Sequence, residues 1–226
     1  MLANVAFYLQ TSVVRKQIMA VTGLLLSGFL VTHLAGNFLI FAGPDAFNVY
    51  AHTLTSNPAI YFAETILAII FLGHIGLGLN LTMQNKKARP TGYYMFQPTG
   101  RGATFASRTM LYTGAIVGSF LIWHILGLKF GTYYETSVNG VVMRDLHKLV
   151  IEYFQNFWNV LGYVIGMISI GVHLSHGFWS AFQSIGFNHP KYNNFLKFKA
   201  KVLGFLITVG FSSMPLYIFF VIGGRV

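Results

Sequence analysis

TGLLLSGFLVTHLAG, at residues 22–36, returns far downstream as TGAIVGSFLIWHILG, at residues 113–127. Thr22, Gly23, Phe29, Leu30, His33 and Gly36 fall on Thr113, Gly114, Phe120, Leu121, His124 and Gly127, and nearly everything between them is apolar. A self-similar segment states the symmetry of a fold before any element is assigned. This one predicts two related halves, each setting one histidine at the same point of an apolar helix.

The surroundings of the repeat decide the class. Hydrophobic residues make up 54% of the chain and charged residues 9%, with a mean hydropathy of +0.60, whereas soluble domains carry about a quarter charged residues. A membrane span needs roughly 20 mostly apolar residues, and five stretches supply them, at about 17–42, 59–83, 107–129, 151–182 and 202–222. The expected fold is therefore an all-α integral membrane protein, one domain of five transmembrane helices. The first span is too long for a cleaved signal core and has no small-residue cleavage site behind it, so it is expected to stay in the mature protein. Cysteine is absent, which leaves His, Met and carboxylates as the metal ligands this chain offers.

The formal net charge of +10 is distributed as in a membrane protein rather than a nucleic-acid binder. Arg15 and Lys16 precede the first span; Lys86, Lys87, Arg89, Arg101 and Arg108 lie between the second and third; Lys191, Lys197, Lys199 and Lys201 lie between the fourth and fifth. All of these fall on one side. The other side has Lys129, Arg144, Lys148 and Arg225 but also Asp45, Glu135, Asp145 and Glu152. By the positive-inside rule the N-terminus and the basic loops are cytoplasmic. Residues 1–14 read as a short lead-in, 45–58 and 131–148 as outer loops, and 90–102 as ordered irregular structure on the inner side. The fifth span, without histidine or acid, reads as a packing helix.

Ionisable residues inside spans are expensive and mark function by default. A lone intramembrane histidine is more often a helix-to-helix hydrogen-bonding residue than a ligand, but four of them, one per helix, allow a geometric test. At about 1.5 Å rise per residue, His33 and His124 lie roughly 24–25 Å from the inner ends of their spans, and His74 and His173 roughly 14 Å. They form an outer and an inner layer. Eleven residues return a helix to nearly the same face about 16 Å away. Eleven before His33 and His124 stand Thr22 and Thr113, each followed by glycine, Gly23 and Gly114; eleven before His74 and His173 stand Ala63 and Gly162. Each pair thus meets small residues at its own level on the other two helices, room for a large flat ligand. The first four spans are expected to form a four-helix bundle with pseudo-two-fold repeat and diagonal partners, one with three and two with four.

Two stacked bis-histidine sites beside cleared slots point to two b-type haems, with His33 and His124 ligating the iron of the outer one and His74 and His173 that of the inner. Zinc wants four ligands at short range, and no covalent haem motif occurs. Four separate structural histidines, or His176 in place of His173, remain the alternatives.

The segments HLSHGFWSAFQSIGFNHP (173–190), ASRTM (106–110), HLAGN (33–37) and NKKARP (85–90) resemble the dihaem cytochrome b membrane anchors of succinate dehydrogenase and fumarate reductase. That resemblance covers nearly the whole chain. It implies two haems b on the four histidines, a quinone site, usually for menaquinone, and flavoprotein and iron–sulfur subunits on the cytoplasmic face of a prokaryotic inner membrane. Some fumarate reductases of this kind carry a glutamate two residues before the fourth-helix ligand; here that residue is Gly171.

The expected role is electron transfer between an iron–sulfur partner and quinone through the inner and then the outer haem. Glu64 is the one carboxylate well inside a span; it reads either as an interfacial residue or as the proton-exchanging group for quinone, with Asn37 and His52 as further quinone-site candidates. Arg15, Lys16 and Arg108 stand where haem propionates would reach. Two rivals compete: the cytochrome b anchor of a formate dehydrogenase or hydrogenase, separable by its co-purifying subunits, and a haem-free histidine-relay transporter, separable by lack of colour.

Overall fold

The computed structural model describes residues 11–88 and 104–223. The expectations for the N-terminal lead-in up to residue 10, for the loop 90–102, and for Arg89, Arg101 and Arg225 lie outside the described residues. Among the described residues seven α-helices follow in order: α1 (Ser12–Asn37), α2 (Pro44–Thr55), α3 (Ala59–Ala88), α4 (Phe105–His124), α5 (Leu146–Tyr153), α6 (Phe157–Ser184) and α7 (Pro190–Tyr217). Five are long and apolar enough to cross a membrane once the turns continuing α1, α4 and α7 are included: Ser12–Ala42, Ala59–Ala88, Phe105–Lys129, Phe157–Ser184 and Pro190–Ile222. The protein is an all-α integral membrane protein.

The chain threads antiparallel. Arg15 near the start of α1 donates to Asn80 late in α3 at 2.7 Å, and Glu64 early in α3 pairs with Lys129 just beyond α4. One end therefore gathers Arg15, Lys16, Lys86, Lys87 and Arg108, together with the lysines at the start of α7, and is called the basic end below. Around the bundle, α1 touches α3 and α6, while α4 touches α6 and, sparsely, α3. This places α1 opposite α4 and α3 opposite α6, the diagonal order read from the repeat.

Burial is uneven. Helix α6 buries Val160, Tyr163, Gly166, Met167, Ser169, Ile170, Gly171, Leu174 and Ala181, whereas no residue of α3 is buried. The tightest seam joins α6 to α7, where Ala200 and Ile207 are almost fully enclosed. Helices in a membrane gain little from burying leucine, so close approach of small residues and interhelical hydrogen bonds hold them together. Gly171 and Gly204 meet backbone to backbone, and Thr208 Oγ1 donates across the seam to the Met167 carbonyl at 3.1 Å. Helix α7 is the packing helix expected, and it also lays Phe211 against His33, ring centroids 5.7 Å apart.

Several boundaries depart from the expected ones, most of all that of the fifth span, whose helix starts at Pro190 and not near 202. Residues 45–58 are largely helical, as α2, and 131–148 contain an antiparallel hairpin, Glu135–Val138 paired with Val141–Arg144, before α5 starts. The fourth span begins at Phe157, not near 151. Asn156 Oδ1 accepts from the amides of Trp158 and Asn159 at 2.8 and 3.4 Å, and Asn159 Nδ2 donates back to the Tyr153 carbonyl at 2.8 Å. Those capping bonds end one helix and start the next.

At this hairpin end, Arg144 donates to the carbonyls of Leu128, Lys129, Gly131 and Thr132 at 3.0–3.3 Å, closing the end of the third span. Asn48, 1% exposed, ties α2 to α5: its Nδ2 donates to Asp145 Oδ1 at 2.8 Å and its Oδ1 accepts from the His147 amide at 2.9 Å. Burial pushes the His147 imidazole below its ordinary pKa, with the Asp145 carboxylate opposing. Asn48→Ala removes both bonds, leaving the His147 amide without its partner and Asp145 Oδ1 with the Lys148 amide alone, and is expected to destabilise the detergent-solubilised protein by about 1–3 kcal/mol. An unchanged thermal unfolding midpoint would show that the brace contributes nothing.

Candidate haem sites

Each imidazole sits in a small set of contacts supplied by the repeat. In the layer nearer the basic end, His74 of α3 and His173 of α6 have ring centroids 6.4 Å apart at an interplanar angle of 65°. In the layer nearer the hairpin end, His33 of α1 and His124 of α4 are 6.0 Å apart at 89°. The structure thus brings together the two pairs that the depth count predicted. His176 stays outside both, its ring against Trp179 at 6.1 Å and its buried Nδ1 unpartnered among the described residues.

The near layer is built symmetrically. Thr22 Oγ1 lies 3.0 Å from His74 Nδ1, and Thr113 Oγ1 lies 3.2 Å from His173 Nδ1. A Cβ added at Gly23 would stand 3.2 Å from His74 Cε1, and one at Gly114 would stand 3.5 Å from His173 Cε1. These four residues face the predicted layer, but as contacts rather than clearance: threonine bonds the ring and glycine lets it approach the helix.

The far layer is less symmetric. Phe29 stacks on His33 at 5.1 Å and Phe120 lies beside His124 at 5.8 Å, the same repeat position serving both halves. Tyr163 then breaks the symmetry, with its hydroxyl 3.1 Å from His124 Nδ1 and no tyrosine in the equivalent place beside His33. Asn37 Nδ2 donates to the His33 carbonyl at 2.8 Å and stands 3.4 Å from both ring nitrogens. Gly36 and Gly127, the last repeated position, lie under the rings of Tyr50 and Tyr153, which seat α2 and α5 on the bundle.

Other predicted residues are placed differently. Gly162 lies beneath the Trp123 ring, in a groove of about 390 Å³ shared with Phe120, Ile165 and Gly166, and not against His33 or His124; the adjacent Tyr163 is the residue that reaches the pair. Ala63 is exposed on α3. The eleven-residue rule failed here because neither residue projects from its helix toward the paired rings. Glu64 is ion-paired with Lys129, and both side chains are about half exposed at the hairpin end. His52 is on α2, with its ring partly buried. Lys16 and Arg108 are exposed at the basic end, and Arg15 is partly buried on Asn80. Tyr163 is the site residue that sequence reasoning missed; only its place next to Gly162 pointed to it.

The donor set fits haem. A metal–imidazole bond of about 2 Å on each side, plus roughly 1 Å from the ligating nitrogen to the ring centre, sets two trans imidazoles about 6 Å apart. Both pairs have that separation. Aromatic pairs also adopt it unaided; the added observation is the partner on Nδ1 of His74, His124 and His173, which leaves Nε2 of each available to a metal.

No family model matches the chain, and no solved structure does. Among known proteins it is similar to the succinate dehydrogenase cytochrome b558 subunit of Bacillus subtilis, 28% identical over 156 residues, which are 67% of this chain and 69% of that one. The name of this relative agrees with the resemblance read in the motifs.

Proposed function

We propose that this chain is the membrane-anchoring cytochrome b subunit of a succinate dehydrogenase or fumarate reductase, carrying two haems b between an iron–sulfur partner and a quinone, menaquinone in the first instance. The observation that carries the reading is the two diagonal histidine pairs, 6.0 and 6.4 Å between centroids, stacked at two depths of one bundle. When bound, the haems supply one-electron chemistry linking the iron–sulfur subunit to quinone. His74 and His173 hold the group nearer the basic end, and His33 and His124 the one nearer the hairpin end. The basic end faces the cytoplasm of a prokaryotic cell, by the distribution of lysine and arginine, and there receives the iron–sulfur and flavoprotein subunits; Arg15, Lys16 and Arg108 are the basic side chains at that end assigned to the propionates. The test is recovery of partners. A tagged chain extracted from its native membrane should bring a flavoprotein and an iron–sulfur subunit with succinate–quinone activity, and recovery of formate dehydrogenase or hydrogenase subunits instead would overturn the assignment.

Quinone chemistry falls at the hairpin end, where Glu64 is the membrane carboxylate closest to the His33–His124 layer, with Asn37 and His52 as further contacts. Glu64 exchanges the quinone's protons, and Lys129 holds its carboxylate in place. Glu64→Gln keeps the size and loses the proton-transferring oxygen. It should depress quinone turnover about a hundredfold with haem content unchanged; turnover at the wild-type rate would remove Glu64 from the site.

A further inference from the structure

A threonine hydroxyl has one proton to give and lone pairs to accept with. In α1 the Thr22 hydroxyl is 2.9 Å from the Ile18 carbonyl and 3.0 Å from that of Met19; in α4 the Thr113 hydroxyl is 3.0 Å from the Thr109 carbonyl and 3.2 Å from that of Met110. Carbonyls only accept, so each hydroxyl has an acceptor for its proton within its own helix. What each Oγ1 still offers is a lone pair, directed at Nδ1 of a histidine on another helix, His74 at 3.0 Å and His173 at 3.2 Å. The Met19 carbonyl is a second acceptor beside the His74 ring. With the proton on Nδ1 of both imidazoles, every one of these groups is satisfied at once. The far pair lacks this arrangement: His124 meets a phenol, which can donate or accept, and His33 meets the Asn37 amide nitrogen equally at both ring nitrogens.

We infer that Thr22 and Thr113 are positioning residues that hold His74 and His173 in the Nδ1–H tautomer, present their Nε2 atoms to one shared iron, and set the potential of that site alone. This rests on the haem reading above. A ligand whose distal N–H is bonded to an acceptor is the more basic donor and favours the oxidised metal. The internal repeat thus encodes, in one half-motif, both the ligand of one layer and the orienting group of the other.

The test is a redox titration of the purified chain, followed optically, for Thr22→Val, Thr113→Val, the double variant and the corresponding serine variants. With two haems retained, both valine variants should raise the midpoint of the same one of the two redox steps. The double variant should move it further, and serine should restore the wild-type value. The expected change is up to tenfold in the oxidised-to-reduced ratio, about 59 mV for a one-electron couple. Two haems with neither step displaced, or with the two variants displacing different steps, would overturn the inference while leaving the function intact. If a valine variant loses a haem, serine decides: recovery of haem and potential supports the role, and loss in serine too overturns it. A haem-free wild-type protein instead overturns the function, and the threonine role with it.

Discussion

His33→Ala and His124→Ala are each expected to remove the same one of two haems b per polypeptide, and His74→Ala and His173→Ala the other. Pyridine haemochrome counts the haems, and the redox difference spectrum identifies which remains. The expectation follows from geometry: each pair spans a diagonal of the bundle, and the two diagonals lie at different depths, so cutting one ligand opens one site and leaves its neighbour's ligands untouched. Losing an axial imidazole also leaves its partner ring alone in an apolar interior. His176→Ala is the control and should retain both haems, because its ring is turned to Trp179 rather than to His74. Losses pairing His33 with His74 would break the diagonal arrangement. A colourless wild-type chain would put the histidine-relay transporter first.

The second large effect is expected at Gly171. A Cβ built there runs into Thr208 Oγ1 and comes to 2.8 Å from the Gly204 carbonyl, while one built at Gly204 comes to 2.5 Å from the Gly171 carbonyl. Any side chain must part α6 from α7 and stretch the Thr208 bond to Met167. Gly171→Ala should cost about 1–3 kcal/mol. Gly171→Glu should cost more, since it buries a carboxylate in a seam whose nearest groups to a Cβ there are Thr208 Oγ1 and the Gly204 carbonyl. Thermal stability in detergent and the yield of folded protein read both. A Gly171→Glu protein as stable as wild type would mean that the seam opens without penalty. The position, where the fumarate reductases of the resemblance carry a glutamate, faces α7 here rather than the histidines.

Hydropathy and charge were enough for the class, the five spans and the basic end, because the cost of placing charge and unpaired backbone in hydrocarbon acts on every residue of a span and leaves a long signal. The histidine pairing was legible for a similar reason. Rise per residue turns a sequence position into a depth, and the repeat supplied symmetry as an independent check. Even the break between α5 and α6 had a local sign in Asn156, a good helix cap, although the hydrophobic residues on both sides of it, among them Val150, Ile151, Phe154, Phe157 and Trp158, concealed it.

What the sequence by itself determined is depth along the membrane: which residues are spans, which histidines share a layer, and which end is basic. Azimuth around each helix was decided only by the tertiary structure. Gly162 and Tyr163 differ by one residue and so by about 100°, and that angle sends one under Trp123 and brings the other to His124. Whether Gly171 faced the histidines or α7, and whether Thr22 and Thr113 left space or made a bond, turned on the same quantity. Helix rotation is fixed by the close packing of small residues between neighbours, a property of pairs of helices that no single stretch of the chain contains.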